Sequence, residues 1–187
     1  GEGIFYLGTN SYVYFSGSSI RGTANDGTFG GNNYITPRRI TSGTYSKIIS
    51  VGEEGNSRHS VCVAANNVVK PDSGVWCIGS NKYGQLGNGN CVDQSVWQGY
   101  LNFGGETVSR GMGKEVEYQM NSTAMISTDG NVWAWGDNTY GKLGTGGPLQ
   151  ICNPTPARVQ LPSGVKAVTL SGSDEYTMYI LGDNGKV

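Results

Sequence analysis

The chain has 187 residues, of which 31 are glycine, and charged residues make up only 14% with a formal net charge of −1. An average protein has roughly 7% glycine and about 25% charged residues, so this sequence is rich in turn-forming residues and lacks the clustered basic surface that nucleic-acid binding requires. No apolar stretch approaches the ~20 residues of a membrane-spanning helix. Neither nucleic acid nor membrane insertion is therefore expected among its interactions.

The first part of the chain, about residues 4–55, is predicted to consist of short strands separated by turns. A hairpin turn is predicted at Thr9–Ser11, and a strand with the sequence VYFSG follows from Val13. A Thr-Pro segment, TPRRI, follows at Thr36–Ile40. Ile48–Gly52 is predicted to be the last strand of this unit.

The second part, about residues 56–117, contains the sequence VWCIGSNKYGQLGNG at 75–89. A strand is predicted at His59–Val63, which precedes residues 75–89 in the sequence. The turn between these two strands is lengthened by the polar insertion 66–73, which must loop onto the surface.

The third part, about residues 118–172, repeats this organisation, with VWAWGDNTYGKLGTG at 132–146. Asp129-Gly130 lies between two predicted strands and favours a type I′ hairpin. Strands are predicted at Thr123–Ser127 and Val132–Gly136 on either side of this turn, a Thr-Pro segment lies at Thr155–Val159, and Val165–Val168 should supply the last strand of the unit. The final residues, 173–187, begin a fourth copy.

The repeat is the most informative feature of the sequence. The segments 75–89 and 132–146 agree at nine positions without a gap, and a weaker copy begins at Val13. This pattern resembles the RCC1 repeat, as do the strand beginning at His59 and the Thr-Pro segments at Thr36 and Thr155. The repeat positions are Trp76, Gly79, Gly84, Leu86 and Gly87 in the second part, and Trp133, Gly136, Gly141, Leu143 and Gly144 in the third.

The resemblance implies an all-β fold made of RCC1-like β-propeller blades. It predicts three four-stranded antiparallel blades, at about 4–55, 56–117 and 118–172, and the start of a fourth blade at 173–187. RCC1-like propellers usually close with seven blades, so residues 1–187 are expected to form a single partial domain of a larger ring. Trp76 and Trp133 are expected to pack as wedges between neighbouring blades.

The four cysteines lack the C-x-x-C spacing of a zinc site. Cys91 and Cys152 follow equivalent loops of adjacent repeats, so a disulfide between them is one hypothesis, and two unpaired thiols are the alternative. Cys62 and Cys77 are predicted to lie on opposite faces of one hairpin, as two small buried side chains without a bridge.

Aromatic side chains in loops are candidates for contacts with a partner. Tyr83 and Tyr140 occupy equivalent loop positions, and Trp97 and Tyr100 lie in a connecting segment; core packing is the alternative role for all four. Asn121 begins an N-x-S/T sequon and is a candidate N-glycosylation site, with chance occurrence as the alternative.

The sequence contains no catalytic motif: it lacks a nucleophile elbow and a phosphate-binding loop, and its only histidine, His59, is interpreted as a strand residue. No cofactor and no metal site is predicted, and the chain is not expected to be an enzyme. Acidic residues between the repeats are interpreted as solvated loop charge, with a ligand-binding rim as the alternative; they are Glu53, Glu54, Glu115, Glu117, Asp174 and Glu175.

Three functions are compatible with the sequence. The first is a non-enzymatic protein-binding or assembly scaffold, an extracellular or cell-surface glycoprotein that binds a protein partner, copies of itself or glycans, within a larger filament or complex. The second, implied by the resemblance, is guanine-nucleotide exchange on a small GTPase, for which a cytoplasmic location is the alternative. The third is a carbohydrate-binding or carbohydrate-active propeller.

Overall fold

The computed structural model describes residues 3–18, 24–27, 29–30, 32–41, 43–52, 59–65, 75–99, 101, 103–106, 116–119, 121–172 and 177–187. Within these ranges the chain is almost entirely β-structure, and none of its helical segments is long and apolar enough to cross a membrane. The strands are β1 (Gly3–Leu7), β2 (Val13–Ser18), β3 (Asn33–Arg39), β4 (Tyr45–Gly52), β5 (His59–Ala65), β6 (Val75–Gly79), β7 (Gln94–Gln98), β8 (Val116–Gln119), β9 (Ser122–Ile126), β10 (Val132–Gly136), β11 (Asn153–Arg158), β12 (Ala167–Gly172) and β13 (Met178–Gly182).

The strands form four antiparallel sheets in which neighbours along the chain are neighbours in the sheet. The first sheet has the order β1-β2-β3, the second β4-β5-β6-β7, the third β8-β9-β10-β11, and the fourth β12-β13. The predicted all-β, antiparallel fold is therefore confirmed. Chain-neighbour pairing of this kind keeps connections short.

The predicted assignment of two strands to their blades was wrong. β4 contains the Ile48–Gly52 segment and pairs with β5, so it opens the second sheet and does not close the first. β12 likewise pairs with β13 in the fourth sheet. The first sheet consequently has three strands in the described part of the chain. A repeat of fixed period can be cut at any point, so the sequence period does not reveal where one sheet ends and the next begins.

The hairpin at Asp129-Gly130 is also not the predicted type I′ turn. The Ser127 amide donates to Asn131 O (2.8 Å) and the Gly130 amide to Ser127 O (3.1 Å), so the loop has three residues. Only its third residue, Gly130, has a positive φ, of 78°. This is a tight turn followed by one left-handed residue, the next most common solution for a hairpin.

The repeated glycine near the end of β2, β6 and β10 has a structural role. Gly17, Gly79 and Gly136 have φ values of 114°, 109° and 103°. In each of the first three sheets the register to the following strand shifts just before this glycine. A bulge at a left-handed residue explains why the pattern requires glycine there.

Apolar side chains fill the spaces between neighbouring sheets. One cluster joins the first and second sheets and includes Phe15, Ile40 and Val63, with Trp76 and Trp97 packed against it. A second cluster joins the second and third sheets, with Trp135 at its centre and Trp133 at its side. A third cluster joins the third and fourth sheets. Trp76 and Trp133 thus lie between sheets, as their repetition predicts.

The structure joins Cys62 and Cys77 in a disulfide. The prediction that they lie on opposite faces of the hairpin without a bridge was therefore wrong. They lie directly opposite each other on β5 and β6, with Cα atoms 4.1 Å apart. The insertion 66–73 replaces the short turn that would fix the register, and a shift of one residue moves a side chain to the other face. The corresponding pair in the third sheet is Ala124 and Ala134.

Candidate functional site

Two long loops leave the same end of the second and third sheets. Residues 80–93 connect β6 to β7, and residues 137–152 connect β10 to β11. We call the surface that these two loops form the loop face. Long ordered loops on a rigid scaffold are where propellers and other repeat folds place their contacts.

A buried asparagine organises each loop in the same way. The Leu86 amide donates to Asn81 Oδ1 (2.9 Å), and the Leu143 amide donates to Asn138 Oδ1 (3.0 Å). Each side-chain amide then donates onward, Asn81 to Asn90 O (2.8 Å) and Asn138 to Pro148 O (2.8 Å). Because one side chain satisfies backbone groups at both ends of its loop, the loop is held in one conformation.

The loop of the second sheet also packs onto the third sheet. The carbonyl of Gln85 accepts hydrogen bonds from Trp135 Nε1 (2.8 Å) and Thr123 Oγ1 (2.9 Å). Gly84 has a φ of 77°, and a Cβ atom there would lie 2.7 Å from the Cα atom of Pro154. Only glycine allows this approach of the loop to the start of β11.

Cys91 and Cys152 complete the connection between the loops. The structure joins them in a disulfide with Cα atoms 6.5 Å apart. The Gly89 amide donates to Pro154 O (2.9 Å) beside it. Cys91 is exposed and Cys152 half-buried, so this disulfide lies at the surface, whereas the Cys62–Cys77 disulfide is buried.

An ion pair stabilises the base of the loop in the third sheet. Lys142 Nζ lies 2.7 Å from Asp137 Oδ2, and both side chains are largely buried. Burial raises the pKa of the Asp137 carboxyl, but the Lys142 ammonium and the hydrogen bonds from Thr139 outweigh it, so its pKa lies below the ordinary value. The group is therefore an anion throughout the neutral range.

Replacing Asp137 with asparagine should lower the free energy of unfolding at neutral pH by about 1 to 3 kcal/mol, since the Lys142 ammonium loses its partner. The pKa of the Asp137 carboxyl is lower in the folded state than in the unfolded state. Its contribution to the free energy of unfolding is therefore complete above the unfolded-state pKa and is lost as the pH falls through the folded-state pKa. Urea titrations across the acidic range should show a shallower acid destabilisation in Asp137→Asn than in wild type. Parallel curves would contradict this role.

Exposed apolar side chains cluster on the loop face. Tyr140 is 81% exposed, Leu149 71%, Val92 64% and Ile151 59%. Val92 and Ile151 adjoin the two bridged cysteines, and a Leu149 methyl group comes within 3.5 Å of a Cβ atom built on Gly141, the neighbour of Tyr140. We call these four residues the apolar patch.

Tyr140 adopts an uncommon backbone conformation, with φ 65° and ψ 10°. This left-handed region costs a bulky residue roughly 1–2 kcal/mol, and such residues cluster at functional sites. The conformation presents the ring to solvent. Tyr83, at the equivalent position in the second sheet, is half-buried, and Lys82 Nζ lies 5.5 Å from the centre of its ring.

The other candidate residues predicted from the sequence lie away from the loop face or outside the residues that the structure describes. Trp97 is half-buried and its ring N–H donates to Ile40 O (2.9 Å), which gives it a packing role between the first two sheets. Tyr100 lies outside the described residues, as do Glu53, Glu54, Glu115, Asp174 and Glu175. Asn121 is half-buried, with a φ of 69°, and its carbonyl accepts from the Asp137 amide (3.0 Å); its glycosylation stays a prediction.

Sequence reasoning missed the apolar patch beyond Tyr140 and the role of the two asparagines. Asn81 and Asn138 recur at matching positions of the repeat, which was a usable signal. Val92, Leu149 and Ile151 fall in segments where the two loops differ in sequence and length, so no repetition marks them. Within the described ranges no cluster of His, Cys, Asp or Glu could hold a metal ion.

Similarity to known proteins agrees with this architecture. The family model of the regulator of chromosome condensation (RCC1) repeat matches residues 129–180. The ultraviolet-B receptor UVR8 of Arabidopsis thaliana is 26% identical over 152 residues, which cover 80% of this chain and 31% of the receptor. The regulator of chromosome condensation of Mus musculus is 24% identical over 182 residues, which cover 97% of this chain and 40% of that protein.

A solved structure has the same fold. Prp20p from Saccharomyces cerevisiae, described with its binding properties to Gsp1p and histones, superimposes with a TM-score of 0.72 at 13% identity. The match covers 97% of this chain and 42% of that one, so the chain spans less than half the length of each of these three proteins. From its repeated motifs, its antiparallel sheets and these similarities, the chain contains RCC1-like repeats and has the fold of an RCC1-type β-propeller.

Proposed function

We propose that this chain is a non-catalytic protein-binding or assembly module that acts outside the cell or at its surface and binds its partner through the loop face. The observation that carries the proposal is the apolar patch, four exposed side chains on two loops that a disulfide and two buried asparagines hold in place. Rigid loops lose little conformational entropy on binding.

The composition of the patch favours a protein partner. Interface cores are enriched in aromatic and aliphatic side chains and depleted of charged ones, and Tyr140 with Val92, Leu149 and Ile151 matches that description. Other residues of the same two loops are polar, among them the uncharged Asn88, Asn90 and Gln150 and the exposed cation Lys82. Such a rim fits the polar edge of an interface.

The cysteines support the proposed location. All four are bonded in two disulfides, and one of these is exposed to solvent. Exposed disulfides do not persist in a reducing cytosol, whereas secreted and cell-surface proteins retain them. The sequon at Asn121 is consistent with the same compartment.

Site-specific photo-crosslinking tests the proposed interface. A photoreactive phenylalanine analogue replaces Tyr140 in one preparation and Tyr179, an exposed residue of β13 away from the loop face, in another. Crosslinking to one discrete partner, or to a second copy of the chain, is expected from position 140 and not from position 179. Unlabelled wild-type protein should compete for the partner and suppress the crosslinked adduct. The variant Val92→Ser/Leu149→Ser/Ile151→Ser should require at least about a tenfold higher concentration for the same suppression, since each apolar contact contributes about 1 kcal/mol or more to binding. Equal labelling from both positions would remove the proposal.

Guanine-nucleotide exchange is the second candidate. It is supported by the similarity to the regulator of chromosome condensation and to Prp20p, which binds Gsp1p. Release of a fluorescent guanine nucleotide from purified Gsp1p, with and without this chain, tests it directly. Acceleration would establish exchange activity, and an unchanged rate would leave the binding module as the account of this chain.

A further inference from the structure

A cleft opens at the end of the third sheet opposite the loop face. It lies between the start of β10 and the connection from β11 to β12, and its volume is about 540 Å³. Small-molecule sites commonly measure about 300 to 1,000 Å³. The cleft is therefore large enough to enclose one side chain together with a neighbouring polar group.

The lining combines an apolar floor with one cationic residue. Val132 and Val159 are buried, and Leu161 and Val165 are partly buried. Arg158 is the only formally charged residue of the lining, and Asn131, Gln160 and Ser163 supply neutral polar groups. A ligand that fits this lining carries an apolar group next to an anionic one.

A chain of hydrogen bonds positions the Arg158 side chain. Its guanidinium donates to Asn131 Oδ1, and both residues line the cleft. Asn131 Nδ2 in turn donates to Glu106 Oε1 (2.7 Å), whose other oxygen accepts from Trp133 Nε1 (3.1 Å). Burial raises the pKa of the Glu106 carboxyl, but hydrogen bonding with Ser127, Trp133 and Asn131 and the Arg158 charge outweigh it and keep the pKa below its ordinary value.

This arrangement leaves most of the guanidinium available. An arginine side chain has five N–H donors, and among the described residues only Asn131 accepts one of those of Arg158. Both oxygens of Glu106 already accept hydrogen bonds from other side chains. The remaining donors can form the paired hydrogen bonds that arginine makes with carboxylates.

We propose that this cleft is a binding site for a carboxylate carried on an apolar group, with the carboxylate on Arg158 and the apolar group against Val132, Val159 and Leu161. The site is separate from the loop face and does not depend on the function proposed there. Such a carboxylate has two sources in a polypeptide, the free C-terminus of an apolar residue and an acidic side chain beside an apolar one.

Two-dimensional 1H–15N correlation NMR of the whole chain tests the site, with small probe molecules added at millimolar concentration. N-acetyl-leucinate stands for a C-terminal leucine, a doubly blocked Leu-Glu dipeptide stands for an internal acidic residue, and N-acetyl-leucinamide is the uncharged comparison. The acid that matches the true source should shift the signals of the Asn131 side-chain amide and the Gly164 backbone amide. The leucinamide should bind at least about tenfold more weakly, because a hydrogen bond to a charged group contributes about 1.5 to 3 kcal/mol.

A matched arginine provides the control. Arg39 on β3 pairs with Tyr14 on β2, just as Arg158 on β11 pairs with Trp133 on β10. Arg39 does not line the cleft. Arg158→Gln should abolish the preference for the acid over the amide, whereas Arg39→Gln should keep it, with dispersed spectra showing that both variants fold. The proposal is overturned if neither acid shifts the cleft signals, if the amide binds as well as the acids, or if Arg158→Gln retains the preference.

Discussion

Replacing Trp135 with alanine should lower the free energy of unfolding by about 3 to 5 kcal/mol, the usual cost of removing a large buried side chain. Trp135 is fully buried at the centre of the cluster between the second and third sheets, where it contacts residues of both. Its ring N–H also donates to Gln85 O (2.8 Å), the carbonyl that anchors the loop of the second sheet. The substitution removes apolar packing and an anchoring hydrogen bond together.

Urea denaturation followed by far-ultraviolet circular dichroism measures this loss without relying on tryptophan fluorescence. Tyr140→Ala is the control, because that side chain is largely exposed and its removal should change stability by no more than about 0.5 kcal/mol. A loss below about 1 kcal/mol for Trp135→Ala would mean that the second and third sheets do not pack as described.

Removing the Cys91–Cys152 disulfide should cost about 4 kcal/mol and should also weaken partner binding at the loop face. The two cysteines are 61 residues apart, and closing a loop of that length reduces the entropy of the unfolded chain by an amount worth about 4 kcal/mol. In the folded state, the bond holds together the loops that carry the apolar patch. In the variant Cys91→Ser/Cys152→Ser, urea denaturation measures the loss of stability. Competition in the photo-crosslinking experiment measures the loss of partner binding.

The second disulfide supplies a matched comparison. Cys62→Ala/Cys77→Ala creates the alanine pair that already occupies the corresponding positions of the third sheet, Ala124 and Ala134. Loss of a disulfide closing about 15 residues costs about 3 kcal/mol, but this one lies away from the loop face. Competition should therefore stay at the wild-type level. If both double variants weakened partner binding alike, the Cys91–Cys152 bond would have no particular role in the loop face.

Much of the fold could be predicted because the repeat itself encodes it. The shared Val-Trp and Gly positions fix strands, bulges and inter-sheet packing in each copy, and Trp76 and Trp133 lie between sheets as expected. The phase of the repeat could not be predicted, because β4 can pair with either neighbouring hairpin without changing the period. The pairing of Cys62 with Cys77 was missed for a related reason, since the insertion 66–73 hides the register of the hairpin.

The candidate site was only partly predictable. Repetition identified Tyr140 and the cysteines of the two loops, but exposure depends on the path of each loop and not on its composition. Leu149 and Ile151 read as ordinary apolar residues, and only the hydrogen bonds from Asn138 to the backbone at Pro148 and Gln150 explain why they remain at the surface. The cleft beside Arg158 depends on the three-dimensional course of residues 158–165 and has no signature in sequence.

Peptide mapping of the native protein by mass spectrometry, without reduction, would show whether a disulfide joins the two loops of the loop face, as we expect for a protein of an oxidising compartment. We expect one linked peptide pair containing Cys91 and Cys152, a second containing Cys62 and Cys77, and no free thiol on these four residues. Four free thiols, or a link between Cys91 and either Cys62 or Cys77, would contradict both the tie between the loops and the proposed location.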